Sequence, residues 1–382
     1  MRAEAIIHLD RFKENINSVK TRIGKNRQIC VPVKADAYGH GAVQIAKASL
    51  EIEESCCFGV AAASEGLALR KEGIKAPILL FSQPNPDEIE EIIKTELTPF
   101  VSDADFASIL NEYAEKAKKE IPVHLKIDTG MGRIGCNVKE AQELARHIGK
   151  LPHLNLTGTA THLAVSDSKN RRDIEYTKKQ ISRFKKAVKM IREDGINPGV
   201  VHAANSGAVI LHPAAWFDMV RPGILLYGYK AVQEYEAPLD QLKKLSRFKA
   251  LTVEPVMELR SSVVLIKKIK KGESVSYGRT WTAEKDTLIG VISVGYADGL
   301  PRLASGKWQV LIGGKFFPVV GRISMDQFCV NLGKTSEIKR WDEAVIFGSP
   351  DHDADALAKI TGTIPYEITC NVSKRVPRVY RH

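Results

Sequence analysis

Short apolar runs alternate with longer amphipathic or charged segments from residue 28 to about residue 230. The short runs are rich in β-branched residues and predict eight strands, at 28–33, 57–62, 77–81, 98–101, 123–127, 157–161, 200–203 and 219–226. The longer segments predict helices at about 41–52, 64–72, 86–95, 103–119, 138–148 and 171–194. An alternation with eight strands predicts a closed (β/α)8 barrel. A doubly wound open sheet is the main alternative, but no GxGxxG motif follows the first strand.

After about residue 236 the pattern changes to short β-rich segments, at 263–269, 287–294, 308–312, 316–320, 328–331 and 344–347. Gly313-Gly314 separates two of these segments and predicts a hairpin turn, and a predicted helix over 353–360 ends before Gly362. The first ten residues contain one more apolar run, which predicts a strand ahead of the barrel. The predicted fold class is α/β, with an N-terminal (β/α)8 barrel over 11–235. A mostly β C-terminal domain over 236–382 follows, and we expect strand 1–10 to join it.

The composition is that of an ordinary soluble globular protein, since 44% of the 382 residues are hydrophobic and 26% are charged. No apolar run approaches the roughly 20 residues of a membrane-spanning helix, and the N-terminus lacks the features of a secretory signal. The six cysteines include the pair Cys56-Cys57 but no CxxC spacing. We therefore expect small core residues in a reducing compartment and no metal site. Together these features favour a cytoplasmic protein without membrane contact.

The formal net charge of +11 raises the alternative of a nucleic-acid-binding protein. Basic residues cluster at 178–189, 243–249, 267–271 and 375–381. In the first cluster apolar residues recur at helical spacing, so its lysines form the solvent-facing side of an amphipathic helix. No nucleic-acid-binding motif accompanies the charge, and we expect no nucleic-acid partner. The field is better suited to small anions such as phosphates and carboxylates.

Lys34 ends the apolar run 29–33 and precedes a turn that contains Gly39 and Gly41. The end of a barrel strand is where this fold keeps its ligand site. Partial burial lowers the pKa of a lysine and makes its amine nucleophilic, as Schiff-base chemistry with an aldehyde requires. The alternative is a lysine that extends its ammonium group from a strand end into water.

Further polar residues follow other predicted barrel strands. They are Lys126, Asp128 and Arg133 at the fifth, His162 at the sixth, Asn205 and Ser206 at the seventh, and Arg221 on the eighth. Each has an ordinary structural explanation, such as a core histidine, an N-cap serine or a surface arginine. Because the ends of parallel barrel strands meet at one rim, the set as a whole indicates an active site there.

Over nearly its full length the chain resembles the alanine racemases of the fold-type III pyridoxal phosphate enzymes. The segments that carry the resemblance are 31–41, 126–135, 161–163, 202–206, 221–228, 276–279, 295–299, 321–327 and 375–378. Any one of these motifs is weak, but their ordered spread along the chain is specific. The resemblance implies interconversion of L-alanine and D-alanine, which supplies D-alanine for peptidoglycan.

The resemblance also assigns residues to the cofactor, pyridoxal 5'-phosphate. Lys34 carries it as a Schiff base, and Arg221 faces its pyridine nitrogen with His162 as the neighbour that orients this arginine. The implied phosphate-binding groups are Tyr38, Ser206 with its neighbour Asn205, and the backbone of Gly223 and Ile224. Backbone N–H groups and hydroxyls suit a phosphate dianion.

Racemisation needs one base on each face of the substrate Cα. The resemblance gives these roles to Lys34 and to Tyr277, for which the alternative is a tyrosine that packs in a β-hairpin. It places Arg133, Tyr296, Met325 and Asp326 at the substrate, with Arg302, Arg322 and Asp167 along the approach. Lys126 matches a lysine that can be carboxylated by CO2 and then braces the arginine matched by Arg133.

Tyr277, Tyr296, Met325 and Asp326 lie in the β domain, and in the family such residues enter the barrel of a partner subunit. A head-to-tail homodimer with shared active sites is therefore implied. The chain departs from the family at Lys374, where some relatives have a tyrosine that touches the phosphate. A serine or broad-specificity racemase and a non-catalytic pyridoxal phosphate carrier are the open alternatives. A basic amino-acid decarboxylase is disfavoured because such relatives have a glutamate where this chain has Arg221.

Overall fold

The chain forms two compact units. The computed structural model describes residues 2–53, 56–230 and 251–382. The barrel unit comprises Lys13–Ala37 and Ala42–Val253, and the β unit comprises Met1–Phe12, Tyr38–Gly41 and Glu254–His382. The predicted domain boundary at 235/236 and the predicted basic cluster at 243–249 lie outside the described residues.

The secondary structure follows the predicted alternation of strands and helices. The strands are β1 (Ala3–His8), β2 (Gln28–Pro32), β3 (Cys57–Val60), β4 (Ile78–Leu80), β5 (Thr98–Val101), β6 (Ile121–Asp128), β7 (Cys136–Asn137), β8 (Leu154–Ala160), β9 (Val200–His202), β10 (Met219–Val220), β11 (Met257–Ile269), β12 (Ser274–Val275), β13 (Trp281–Thr282), β14 (Thr287–Ile292), β15 (Gln309–Ile312), β16 (Lys315–Val320), β17 (Phe328–Gly333), β18 (Glu343–Phe347) and β19 (Arg378–Arg381). The α-helices are α1 (Leu9–Ile23), α2 (Ala42–Ile52), α3 (Ala63–Lys71), α4 (Ile89–Lys94), α5 (Ala104–Lys116), α6 (Ala141–Gly149), α7 (Arg171–Glu193), α8 (Ser206–Leu211), α9 (Ala354–Thr361) and α10 (Pro365–Cys370). Short 3-10 helices lie at Pro86–Glu88, Pro213–Ala215, Tyr277–Arg279 and Arg302–Ala304.

The barrel unit contains a closed parallel sheet, which confirms the predicted (β/α)8 barrel. Its strands pair in the order β2, β3, β4, β5, β6, β8, β9 and β10, and β10 returns to pair with β2. Inside the sheet, side chains from five strands pack together as an apolar core: Cys30, Leu79, Phe100, Ala160 and Met219. Several helices begin where polar residues predict it, and Asp103, for example, caps α5 by accepting from the amide of Phe106 at 2.7 Å.

The eighth barrel strand is shorter than the predicted 219–226 and ends at Val220. Pro222 has no N–H to offer a strand ladder, and the chain turns back after it. The amide of Leu226 donates to the carbonyl of Gly223 at 3.0 Å within this turn. The predicted eighth strand was therefore wrong beyond its first two residues. The helices α1, α8 and α10 were not among the predicted ones.

The β unit is mostly β, as predicted, and most of its strand pairs are antiparallel. β11 pairs with both β18 and β14, so the six strands β14, β17, β16, β15, β18 and β11 close on themselves. The predicted hairpin at Gly313-Gly314 is confirmed: both glycines have positive φ, +54° and +76°, and join β15 to β16. β1 pairs with β11 on one side and β19 on the other. Within the described residues, no helix combines the length and apolar character that a membrane span requires.

Candidate active site

Lys34 lies just after β2 and begins a left-handed turn. The residues 35–38 all have φ between +52° and +55°, a region that costs an L-residue roughly 1–2 kcal/mol. Glu65 on α3 holds the turn, since one of its carboxylate oxygens accepts from the amide of Ala35 at 2.6 Å and the other from that of Ala61 at 2.7 Å. Strain that neighbouring groups maintain is typical of functional sites, where it fixes one side chain. Here the fixed side chain is the half-buried amine of Lys34.

Arg221 follows β10 and is held by neutral groups only. Its guanidinium donates to Nδ1 of His202 at 2.6 Å and to the carbonyls of Thr161 at 2.8 Å and Ala203 at 3.2 Å, and Nδ1 of His162 lies 3.4 Å away. Among the described residues no carboxylate bonds to it. Its exposed fraction is 5%, and burial lowers its pKa to about 10. Arg221 therefore carries its charge at neutral pH and cannot easily turn.

His124 fixes the ring of His202, the histidine that accepts from Arg221. Nδ1 of His124 on β6 lies 2.9 Å from Nε2 of His202, and both rings are buried. Because a guanidinium only donates, Nδ1 of His202 must accept from Arg221, and Nε2 then carries the proton that His124 accepts. Burial, and after it the charge of Arg221, lowers the pKa of His124 to about 3 and that of His202 well below its usual range. Both rings are neutral, and each has one fixed tautomer.

Several cations gather at the same rim. Lys126 on β6 is buried with its ammonium 5.1 Å from the ring centroid of Phe100. Burial, then the charges of Arg221 and Arg133, lowers the pKa of Lys126 well below its usual range. Burial also lowers the pKa of His162, with Lys126, Arg221, Arg133 and Lys34 as the charges that act on it. The structure thus brings five predicted site residues of the barrel unit within electrostatic reach of one another.

Donors for an anion lie beside this cluster. Asn205 caps α8, and the hydroxyl of Ser206 accepts from the amide of Leu225 at 3.2 Å. The amides of Gly223 and Ile224 donate no hydrogen bond to any group in the described part of the chain. Backbone amides without partners and a hydroxyl form the kind of nest that binds phosphate.

Three loops of the β unit are bonded to one another: 276–279, 295–299 and 321–327. The amide of Tyr296 donates to the carbonyl of Ser324 at 3.1 Å, and the hydroxyl of Ser276 donates to the carbonyl of Arg322 at 2.6 Å. These bonds hold the loops as one group. Tyr277, Tyr296 and Met325, which these loops carry, are 72%, 43% and 52% exposed.

An ionic network supports the 295–299 loop. The buried carboxylate of Asp298 bonds to Arg375 at 2.7 Å and to Arg2 at 3.0 Å. Arg375 also bonds to Asp326 at 2.9 Å, which ties the two loops together. Lys374, beside it in the chain, is exposed. Tyr38 is buried within the β unit, and its ring centroid lies 5.8 Å from that of Tyr366.

The implied pairing of Lys34 with Tyr277 joins residues of different units and stays a prediction. Sequence reasoning missed His124 as a site residue and quoted His202 only as part of a motif. The signal that could have found His124 is the alternation of side-chain direction along β6. Residues two apart on a strand face the same side, so His124 shares a face with Lys126, which was already a candidate.

Two family models cover almost the whole chain. The model "Alanine racemase, N-terminal domain" matches residues 7–231, and the model "Alanine racemase, C-terminal domain" matches residues 256–380. The chain is 51% identical to an alanine racemase of Treponema denticola over 100% of this chain and 98% of that protein. It is 42% identical to an alanine racemase of Treponema pallidum, with 99% and 98% covered.

Solved structures agree with the family models. The chain is similar to an alanine racemase from Clostridium difficile with a TM-score of 0.90 at 36% identity, covering 100% of this chain and 96% of that one. It is also similar to an alanine racemase from Streptomyces lavendulae, with a TM-score of 0.88 at 33% identity and coverage of 100% and 97%.

Proposed function

The chain belongs to the alanine racemase family, whose members are isomerases, and from that premise we propose that it interconverts L-alanine and D-alanine with pyridoxal phosphate as cofactor. The observation that carries the proposal is the buried guanidinium of Arg221, fixed by neutral acceptors beside Lys34 and a cradle of unpartnered amides. We further propose a cytoplasmic enzyme whose D-alanine serves peptidoglycan synthesis.

The donor set at the barrel rim fits this cofactor. The amides of Gly223 and Ile224 and the hydroxyl of Ser206 suit the phosphate, as hydrogen-bond donors without a competing carboxylate. Lys34 offers an amine to the aldehyde, and Arg221 offers a donor to the ring nitrogen. The resemblance adds the phenol of Tyr38 to the phosphate site.

Arg221 directs the reaction toward racemisation. Pyridoxal phosphate, when bound, supplies an aldehyde for the substrate amine and a conjugated ring that withdraws electrons from the Cα. With a pKa of about 10, Arg221 donates a hydrogen bond to the ring nitrogen but keeps its own proton. It thereby limits the electron withdrawal and favours return of the proton to Cα, which racemisation requires.

Lys34 and Tyr277 move the proton in this proposal. The amine of Lys34 serves one face of the Cα and the phenol of Tyr277 the other, so each can remove or return a proton. Arg133, Tyr296, Met325 and Asp326 hold the substrate. Burial, then the charges of Arg221 and Arg133, lowers the pKa of Lys126 well below its usual range, and this favours the free amine that carboxylation by CO2 needs.

We propose that the bases come from different chains of a head-to-tail homodimer. The exposure of Tyr277, Tyr296 and Met325 supports this, because three large side chains on bonded loops form a surface that a partner can cover. Each active site would then combine Lys34 of one chain with Tyr277 of the other.

Isotope exchange tests the chemistry. In D2O the wild type should exchange the α-proton of both alanine enantiomers faster than that of serine, and Lys34→Ala should lose exchange and the borohydride-reducible cofactor linkage. Tyr277→Phe should lose about 10²–10⁴-fold, with a larger loss for one enantiomer. Lys189→Ala and Tyr113→Phe are controls outside the site, and they should change neither the exchange rates nor the cofactor linkage. Equal losses for both enantiomers in Tyr277→Phe, or a linkage retained by Lys34→Ala, would contradict these assignments.

Mixing variants tests the shared sites. Lys34→Ala and Tyr277→Phe proteins, unfolded together and refolded, should regain roughly a quarter of wild-type activity, since half of randomly paired dimers would hold one intact site. Each variant refolded alone should stay inactive. No recovery in a mixture that forms dimers by light scattering would show that both bases come from one chain. Faster exchange of serine than of alanine would favour the serine racemase alternative.

A further inference from the structure

Three sulfur atoms meet inside the barrel, and we call them the sulfur cluster: Cys30, Cys57 and Met219. They come from the neighbouring strands β2, β3 and β10. Cys30 and Cys57 stand opposite each other in register, and their thiols are hydrogen-bonded. The Sγ of Cys57 also donates to the Sδ of Met219 at 3.5 Å. Strand register, rather than sequence spacing, brings the three together.

The sulfur cluster lies toward the amino ends of the strands. Cys57 is the first residue of β3 and Met219 the first of β10, whereas Lys34 follows the carboxyl end of β2. Cys30 and Met219 are buried, and Cys57 is partly exposed. The cluster is therefore separate from the phosphate cradle, and Cys57 is its one partly exposed member.

We propose that the sulfur cluster binds one soft monovalent metal ion of the Cu(I) type. Two thiolates and a thioether are soft ligands of the kind that select Cu(I) over hard cations. Three sulfur ligands are one fewer than the four protein ligands of a structural zinc site. Among the described residues no group of three or more His, Cys, Asp or Glu side chains is placed for a metal, so the thioether of Met219 is the decisive third ligand. Binding deprotonates two thiols, forms three metal–sulfur bonds and releases two protons.

The charge inside the barrel supports the proposal. A monovalent ion on two thiolates has a net charge of −1, which a dry interior tolerates only near a cation. Burial raises the pKa of the Cys30 thiol well above its usual range, and the charge of Arg221 acts against that rise. No carboxylate in the described part of the chain pairs with Arg221, so this cation is left to balance the charge of the metal site. Cys136 is a useful contrast, because it is buried with the carboxylates of Glu140 and Asp128 as its charged neighbours.

Competition for copper tests the proposal on the intact holoprotein. Cu(I), supplied anaerobically as its acetonitrile complex, is titrated against bicinchoninate, with proton release measured and the ligand shell read by X-ray absorption. We expect one copper per chain, two protons released and a shell of three sulfurs. Met219→Leu should bind at least about tenfold more weakly with a shell of two sulfurs. Cys57→Ser should lose stoichiometric binding, and the matched control Cys136→Ser should bind like the wild type.

Three results would overturn the proposal. They are equal binding by Cys57→Ser and Cys136→Ser, a shell that contains nitrogen or oxygen, and a loss of two hydrogens with no copper retained, which would mark a disulfide instead. Should Cys57→Ser fail to fold, the sulfur shell and proton count of the wild type decide. The racemase proposal does not depend on the outcome, because the sulfur cluster takes no part in proton transfer.

Discussion

The neutral pair of His124 and His202 makes the protein sensitive to acid, and His124→Phe tests how much of that sensitivity one ring carries. The pKa of His124 falls from about 6.5 to about 3 on burial near Arg221. Between those pH values the unfolded chain holds a proton on this ring and the folded chain does not. The free energy of unfolding therefore falls as the pH is lowered, by about 1.4 kcal/mol per pH unit. Over the whole window His124 accounts for at most about 5 kcal/mol.

His124→Phe keeps an aromatic ring against Phe100, whose centroid lies 6.0 Å from that of His124. It removes the acceptor for the Nε2 proton of His202, and a buried donor without a partner costs about 1–3 kcal/mol at neutral pH. The variant takes up no proton at this position. Its disadvantage should therefore shrink by about 2 kcal/mol between about pH 6.5 and about pH 5, so that the two stability curves approach each other.

Urea unfolding of the holoprotein between about pH 8 and about pH 5, at one protein and cofactor concentration, gives both curves. His153→Phe is the matched control. His153 bonds to the carbonyl of Lys119 and takes no part in the hydrogen bonds that link His124 through His202 to Arg221. This control should follow the pH dependence of the wild type. An equal pH dependence for His124→Phe and the wild type would refute the reasoning.

Three further predictions concern single side chains. Gly39 and Gly73 have similar φ, +83° and +80°, but a Cβ on Gly39 would collide with a carbonyl of α10 whereas a Cβ on Gly73 would meet open space. Gly39→Ala should therefore lower the melting temperature more than Gly73→Ala does. Equal shifts in the two variants would show that the collision does not matter. Asp298→Asn should weaken the bond to the partly exposed Arg375 and lower the free energy of unfolding by about 1–3 kcal/mol, measured by thermal unfolding. It should also raise KM for alanine, and an unchanged KM would show that this ionic network does not affect substrate binding. Carbon-13 bicarbonate should give a carbamate signal in the NMR spectrum of the wild type that Lys126→Met lacks, and a signal that persists in the variant would assign it elsewhere.

Most of the barrel could be predicted because its strands are short apolar runs between polar segments. The predicted strand 98–101 coincides with β5. The run 219–226 misled because apolar residues continue past Pro222, where the backbone can no longer pair as a strand. The helix α1 escaped prediction because no glycine or proline separates it from β1, so the switch from strand to helical period has no marker. The six residues of α8 are too few to show a period.

The rim residues could be predicted because strand ends converge in a barrel, and Lys34, Lys126, His162 and Arg221 lie together there. The partners that fix them could not, because hydrogen bonds such as that between His124 and His202 depend on the order in which strands pair. The sulfur cluster needed the same information, since Cys30 and Cys57 are 27 positions apart and meet only through register.

The first and last strands of the chain, β1 and β19, lie side by side. During synthesis β1 emerges from the ribosome long before β19, which begins at Arg378. At typical translation rates this leaves β1 without that neighbour for roughly 20–80 s. The barrel strands are complete by residue 220 and can fold within that interval. Deleting β19 would leave β1 as an unpaired edge, and deleting β1 would leave β19 without its partner, so the β unit should tolerate the loss of either strand poorly.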